Sequence, residues 1–145
     1  MKKKLGAHFW LNSITAVLTV IAVMAYIIGA VGFAYYDDLN TTILIIAGAA
    51  VAAAVANALL TVKMGDKLLL SLLGLTIGVA LVACALMITE ARVYSIGVLL
   101  FSELEKDNVE GYNALYCSLT AMGGFLVAAV CNVASNFCGP QKDEV

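Results

Sequence analysis

The chain has 145 residues, of which 63% are hydrophobic and 12% are charged, and its mean hydropathy is +0.99. A soluble domain has about 25% charged residues, so this composition excludes an ordinary aqueous fold. The net charge is −2, and the few basic residues cluster beside apolar runs, which argues against nucleic-acid binding.

Four uncharged segments are each long enough to cross a bilayer, since a transmembrane helix needs roughly 20 mostly apolar residues. They cover residues 5–36, 39–62, 68–89 and 111–141. The pattern predicts an all-α polytopic membrane protein whose four transmembrane helices form an antiparallel up-down bundle. Little of the chain remains outside these segments, so we expect a single domain over residues 1–145. The predicted spans cover residues 9–33, 41–62, 68–89 and 110–137.

The basic residues predict the orientation, because Lys and Arg in short loops stay on the cytoplasmic side. Only Arg92 and Lys106 fall on the far side, so both termini are expected in the cytoplasm, in a cell-membrane protein of bacterial type. The six remaining bases lie on the near side: Lys2, Lys3, Lys4, Lys63, Lys67 and Lys142. The far side carries seven acids: Asp37, Asp38, Glu90, Glu103, Glu105, Asp107 and Glu110.

The first span begins and ends with aromatic residues, which typically anchor a helix at the two headgroup layers. Phe9 and Trp10 lie at its start and Tyr36 follows its end. His8, the only histidine, is expected to contact headgroups as well. A cleaved signal peptide is the alternative interpretation, but a signal core has about 7–15 apolar residues and this run is longer.

The second span is rich in alanine over residues 47–58. Small residues let helix backbones approach closely in lipid, so this helix is expected to be either the central packing element or the seam of an oligomer. A short basic turn at residues 63–67 predicts a helical hairpin with the third span. In that third span Gly74 and Gly78 have GxxxG spacing, a weak indication of helix contact.

The segment from Glu90 to Glu110 has apolar residues at helical spacing, namely Val93, Ile96, Leu100 and Leu104. We predict a short amphipathic outer helix here. A helix continuing from residue 68 to residue 101 would be about 50 Å long and would bury Glu90 and Arg92, so a separate helix is expected.

The fourth span is preceded by Asp107 and Glu110 at capping-box spacing. Gly123 and Gly124 fall in its middle and permit either close packing or a bend. Gly139 and Pro140 are expected to end the helix.

No span contains an ionisable side chain of the kind that proton-driven or ion-driven transport usually needs. Asn57 and Asn132 are the main polar residues at membrane depth, and both are expected near the inner ends of their spans. They are interpreted as a hydrogen-bonded clamp between helices, with part of a polar substrate path as the alternative.

The four cysteines contain no CxxC pair. Cys117, Cys131 and Cys138 lie on one helix at separations too large for a disulfide. Cys84 and Cys117 are expected at similar depth; free thiols are the favoured interpretation and a disulfide between them is the alternative.

The outer rim has the most varied polar and aromatic residues, so a ligand site is sought there. Its residues are Glu90, Arg92, Tyr94, Tyr112, Asn113 and Tyr116. An ion pair with a tyrosine belt that fixes helix depth is the favoured alternative.

The sequence therefore predicts a small integral membrane protein that acts by helix packing, as an oligomer or as an accessory subunit of a membrane complex. The alternative is a transporter or channel subunit with a polar pathway near Asn57 and Asn132. We expect no catalytic activity, cofactor or metal site.

Overall fold

The computed structural model describes residues 6–63 and 67–138. Within these ranges the chain is all-helical, with a short 3-10 turn at Glu103–Glu105. Its four long helices are α1 (Ala7–Val31), α2 (Thr41–Lys63), α3 (Lys67–Phe101) and α4 (Val109–Cys138). All four are long and apolar enough to cross a membrane, so the prediction of a four-span, multi-pass membrane protein is supported at that level.

Several polar side chains are fully buried and many large apolar side chains are exposed, unlike the usual distribution in a soluble protein. Asn12, Asn57 and Asn132 are fully buried, whereas Val17 and Leu75 are more than half exposed. Polar side chains of transmembrane helices usually face the interior of the protein. The distribution therefore suits helices whose outer surface contacts lipid.

Each helix packs against its neighbours in the chain, and α1 also packs against α4. Residues late in one helix contact residues early in the next. For example, Cys84 Sγ of α3 lies 3.8 Å from the carbonyl oxygen of Ile43 in α2, while Asn57 of α2 reaches the carbonyl of Leu70. Helices α2 and α3 thus run in opposite directions.

Small residues bring α1 and α4 close together. A Cβ added to Gly124 would lie 2.9 Å from Cβ of Ala22, and one added to Gly29 would lie 3.0 Å from Cβ of Cys117. A Cβ on Gly123 would meet nothing within 4 Å. Because α4 continues through both glycines as one helix, Gly124 serves close packing and Gly123 faces outward.

The prediction of a separate amphipathic helix after the third span is wrong, because α3 does not end at residue 89. Helix α3 is continuous for 35 residues, about 52 Å at 1.5 Å per residue. The expected obstacle was the burial of Glu90 and Arg92. Glu90 instead stays exposed, and Arg92 is buried but pairs with Asp38, so neither charge opposes a continuous helix.

The final turns of α3 and the first turns of α4 form an extension that we call the α3–α4 hairpin, residues 93–113. Gly29, near the end of α1, already lies beside Cys117, so the hairpin projects past the end of α1. Its arms are joined by a hydrogen bond of 2.7 Å from the Tyr112 hydroxyl to the carbonyl oxygen of Leu99.

Candidate functional site

Four amide side chains lie at the end of the molecule where α1 begins and α2 ends, in a cluster that we call the asparagine layer: Asn12, Asn57, Asn132 and Asn136. Asn57 Nδ2 donates to Asn12 Oδ1 at 3.3 Å and to the carbonyl oxygen of Leu70 at 3.5 Å. Asn132 Nδ2 donates to the carbonyl oxygen of Gly74 at 2.6 Å. Since Leu70 and Gly74 are one turn apart, the amides from α2 and α4 reach α3 at adjacent depths.

The two glycines of the GxxxG spacing make room for these amides. A Cβ on Gly74 would lie 2.0 Å from Asn136 Oδ1, and one on Gly78 would lie 3.2 Å from Asn132 Nδ2. The spacing on α3 therefore matches the four-residue spacing of the two asparagines on α4. Gly74 and Gly78 act within the chain, as the surface on which polar side chains of α4 pack.

Three acceptor atoms of the asparagine layer are buried without a hydrogen-bond partner among the described residues: the Oδ1 atoms of Asn57, Asn132 and Asn136. A buried acceptor left unpaired costs about 1–3 kcal/mol, and most such groups in proteins have a partner. The layer consequently has the capacity to accept hydrogen bonds from a small donor.

His8 and Thr61 extend this cluster toward the inner ends of α1 and α2. His8 Nδ1 lies 2.8 Å from Thr61 Oγ1 and 3.2 Å from Asn12 Nδ2. Thr61 Oγ1 also lies 2.7 Å from the carbonyl oxygen of Asn57, to which it donates. His8 is only 2% exposed, so the expected headgroup contact is wrong, and its ring instead joins α1 to α2.

Apolar side chains close the interior beyond the asparagine layer. Ile77, Leu81 and Phe125 are buried to 1% exposure or less. Ile77 lies about one turn along α3 from Gly74, and Phe125 lies about two turns along α4 from Asn132. The polar cluster therefore ends against a packed apolar core.

A second polar cluster surrounds Arg92 at the other end of the helices. The guanidinium makes two bonds to the Asp38 carboxylate, of 2.5 and 2.7 Å, and lies 3.7 Å from the centre of the Tyr36 ring. Its Nε donates to Ser118 Oγ at 3.4 Å. Bidentate pairing and stacking are the contacts that arginine makes best. The cluster fastens the connection between α1 and α2 to helices α3 and α4.

Neighbouring contacts reinforce this attachment. The Tyr36 hydroxyl lies 2.7 Å from Ser95 Oγ, and the backbone N–H of Asn40 donates to the Tyr26 hydroxyl at 2.8 Å. Partial burial, with the nearby Glu105 carboxylate and Tyr36, raises the pKa of Tyr35 above its ordinary value. The connection between α1 and α2 thus lies close to the turn at the tip of the hairpin.

The six residues sought as an outer-rim ligand site do not converge in one pocket. Arg92 points inward, whereas Glu90, Tyr94, Asn113 and Tyr116 are exposed. Tyr112 is half-buried and bonds to the backbone of α3.

The structure assigns the polar contacts at this end to residues that the sequence did not predict as partners of Arg92, chiefly Tyr36, Asp38 and Ser118. Tyr36 was predicted as a headgroup anchor, and Asp38 only as one of the seven acids of the far side. No periodicity connects Asp38 to Arg92, which lies 54 residues away, so only the aromatic and acidic composition of residues 35–38 gave any signal.

All four cysteines are free, and Cys84 is buried. Within residues 6–63 and 67–138, no three His, Cys, Asp or Glu side chains converge as a metal site would require. Comparison with protein-family models, with curated proteins and with solved structures yields no match.

Proposed function

We propose that this chain is a four-pass protein of a bacterial cell membrane, with both termini in the cytoplasm and the helices in an up-down bundle. It acts by helix packing, as an oligomer or as an accessory subunit of a larger complex. The supporting observation is that the buried arginine and the buried histidine are both engaged in contacts between segments of the chain. Arg92 is paired with Asp38, and His8 bonds to Thr61. The proposal includes no catalytic step.

Helix α2 supports this proposal because small residues occupy both of its faces. Its buried face includes Ala47, Ala50 and Ala54. Gly48 and Ala52 lie four residues apart on its exposed face, and a Cβ on Gly48 would meet nothing within 4 Å. Exposed small residues at this spacing favour close contact with another transmembrane helix.

The test is native mass spectrometry of the protein released from nanodiscs. We expect an oligomer or a complex with a second polypeptide, and we expect Gly48→Leu to reduce it if α2 forms the seam. Gly123→Leu is the matched control, since Gly123 is equally open but lies on α4. A wild-type protein that is only monomeric and carries no other polypeptide would contradict the proposal.

A second candidate function is a transporter or channel subunit with a polar pathway near Asn57 and Asn132. The unpartnered Oδ1 atoms of these two residues favour it, since a polar solute that donates hydrogen bonds would satisfy them. The apolar core around Leu81 and Phe125 would have to rearrange for passage. The flux of small polar solutes into liposomes that contain the protein tests this candidate. The candidate requires a flux that Asn57→Leu and Asn132→Leu abolish. Liposomes with the wild-type protein that are no leakier than empty liposomes would exclude it.

A further inference from the structure

The α3–α4 hairpin and the turn at its tip expose large apolar side chains. Tyr94 is 82% exposed, Phe101 87% and Leu104 96%. Beside them, a shallow depression of about 420 Å³ lies over Gly97, lined by Val93, Tyr94, Gly97, Val98, Phe101 and Ser102. Exposed contiguous apolar surface of this kind marks an interaction site.

The position of this surface argues against lipid as its occupant. Arg92 bonds to Ser118 of α4, which lies beside Gly29 near the end of α1. Phe101 lies about 14 Å further along α3 at 1.5 Å per residue, whereas the headgroup layer adds only about 5–8 Å on each side of the hydrocarbon core. With the hydrocarbon core taken to end where α1 ends, Phe101 lies beyond the headgroups, where its exposure to water is unfavourable.

The charges around this surface select the kind of partner. Glu90 lies on α3 one turn before Tyr94, and the tip of the hairpin adds Glu103, Asp107 and Glu110, all exposed. The nearby bases are Lys106 and Arg92, and Arg92 is already bonded to Asp38. A second copy docked through the same face would bring two acidic clusters together, and like charges in contact are unfavourable. Anionic headgroups would be repelled for the same reason.

We propose that the apolar face over Gly97 docks an extramembrane segment of a different membrane protein. The segment carries large apolar side chains that occupy the depression and flanking Lys or Arg residues that pair with Glu90 and Glu103. Apolar anchors in a pocket supply most of the affinity of such contacts, while the charges fix the choice of partner. This inference rests on the accessory-subunit form of the proposed function.

Gly97 offers a direct test because a Cβ there would meet nothing within 4 Å. Gly97→Leu places a branched side chain in the depression, at a position where the added Cβ meets no other atom within 4 Å. Gly123→Leu is the matched control, since Gly123 is an equally open helical glycine on α4. Thermal unfolding in nanodiscs first establishes that both variants fold; should Gly97→Leu fail to fold, the exposed charge reversal Glu103→Lys takes its place.

A photoreactive benzoylphenylalanine replaces Phe101, and the protein is irradiated in the membranes of its own cells. We expect one heterologous adduct whose crosslinked peptide contains Lys or Arg within a few residues of the attached side chain. Its yield should fall at least tenfold with Gly97→Leu, fall several-fold with Glu103→Lys, and stay unchanged with Gly123→Leu.

Adducts to lipid alone, adducts to a second copy, or a heterologous adduct that Gly97→Leu leaves unchanged would each overturn the inference. These outcomes are distinct from failure of the proposed function, because native mass spectrometry reports a subunit or oligomer wherever on the surface it binds. If native mass spectrometry finds a complex but no adduct depends on Gly97, the partner binds another surface of the protein.

Discussion

Gly124 of α4 lies directly against Ala22 of α1, so closely that a Cβ on the glycine would come within 2.9 Å of the alanine Cβ. The interface between the two helices depends on this absence of a side chain. Close approach gains dispersion contacts that lipid alone would not supply.

Gly124→Ala should therefore destabilise the protein, by about 1–3 kcal/mol, because the added methyl group overpacks the α1–α4 interface. Gly123→Ala is the control, since a Cβ there meets open space. Reversible unfolding in mixed micelles measures both. Equal stabilities of the two variants would show that α1 and α4 do not approach as described.

Removing the carboxylate of Asp38 should cost more than removing the guanidinium of Arg92. Arg92 is 2% exposed, whereas the Asp38 side chain is 49% exposed. Asp38→Ala leaves a buried charge without a partner, a loss of about 3–5 kcal/mol. Arg92→Met leaves a carboxylate that water can reach, so its loss is smaller.

The same unfolding measurement decides this prediction. Asp37→Ala serves as the control because Asp37 is an exposed neighbour, and we expect it to leave the midpoint unchanged. If Asp38→Ala is as stable as Asp37→Ala, the Asp38 carboxylate does not stabilise the buried charge of Arg92.

Asn132→Leu should loosen the fold, because it removes the hydrogen bond from Nδ2 to the carbonyl oxygen of Gly74. Hydrogen bonds between transmembrane helices contribute about 0.6–2 kcal/mol. Asn113→Leu, at an exposed position of the same helix, should have no such effect. An unchanged melting temperature of Asn132→Leu in detergent would count against a clamp at this residue.

The sequence allowed the helices to be predicted well wherever a charge marked both ends of an apolar run. The predicted first, second and fourth spans differ from α1, α2 and α4 by only a few residues. Helix α3 was predicted to end early because a continuous helix of about 50 Å would bury Glu90 and Arg92, and the sequence does not show that Arg92 pairs with Asp38. Asp38 lies 54 residues away, and a contact of that range is created by the fold.

The candidate sites were harder to predict for the same reason. Asn57 and Asn132 were singled out by their rarity at membrane depth, and the structure does place both in the buried interior. Asn57 bonds to the side chain of Asn12 as well as to the backbone of α3, and Asn132 bonds to the backbone of α3. No side-chain pattern reveals a backbone partner. His8 was misjudged because its position near the chain start suggested an interface, whereas its burial depends on packing against Thr61.

The central prediction is that the turn between α2 and α3 and the turn between α3 and α4 lie on opposite sides of the membrane. Single cysteines at Lys63 and at Asp107, in a chain whose four native cysteines are replaced by alanine, are tested in intact cells with a membrane-impermeant maleimide. We predict that the cysteine at position 107 reacts from outside and that the one at position 63 reacts only after the membrane is permeabilised. Labelling of both positions from the same side of the intact membrane would contradict the four-pass arrangement.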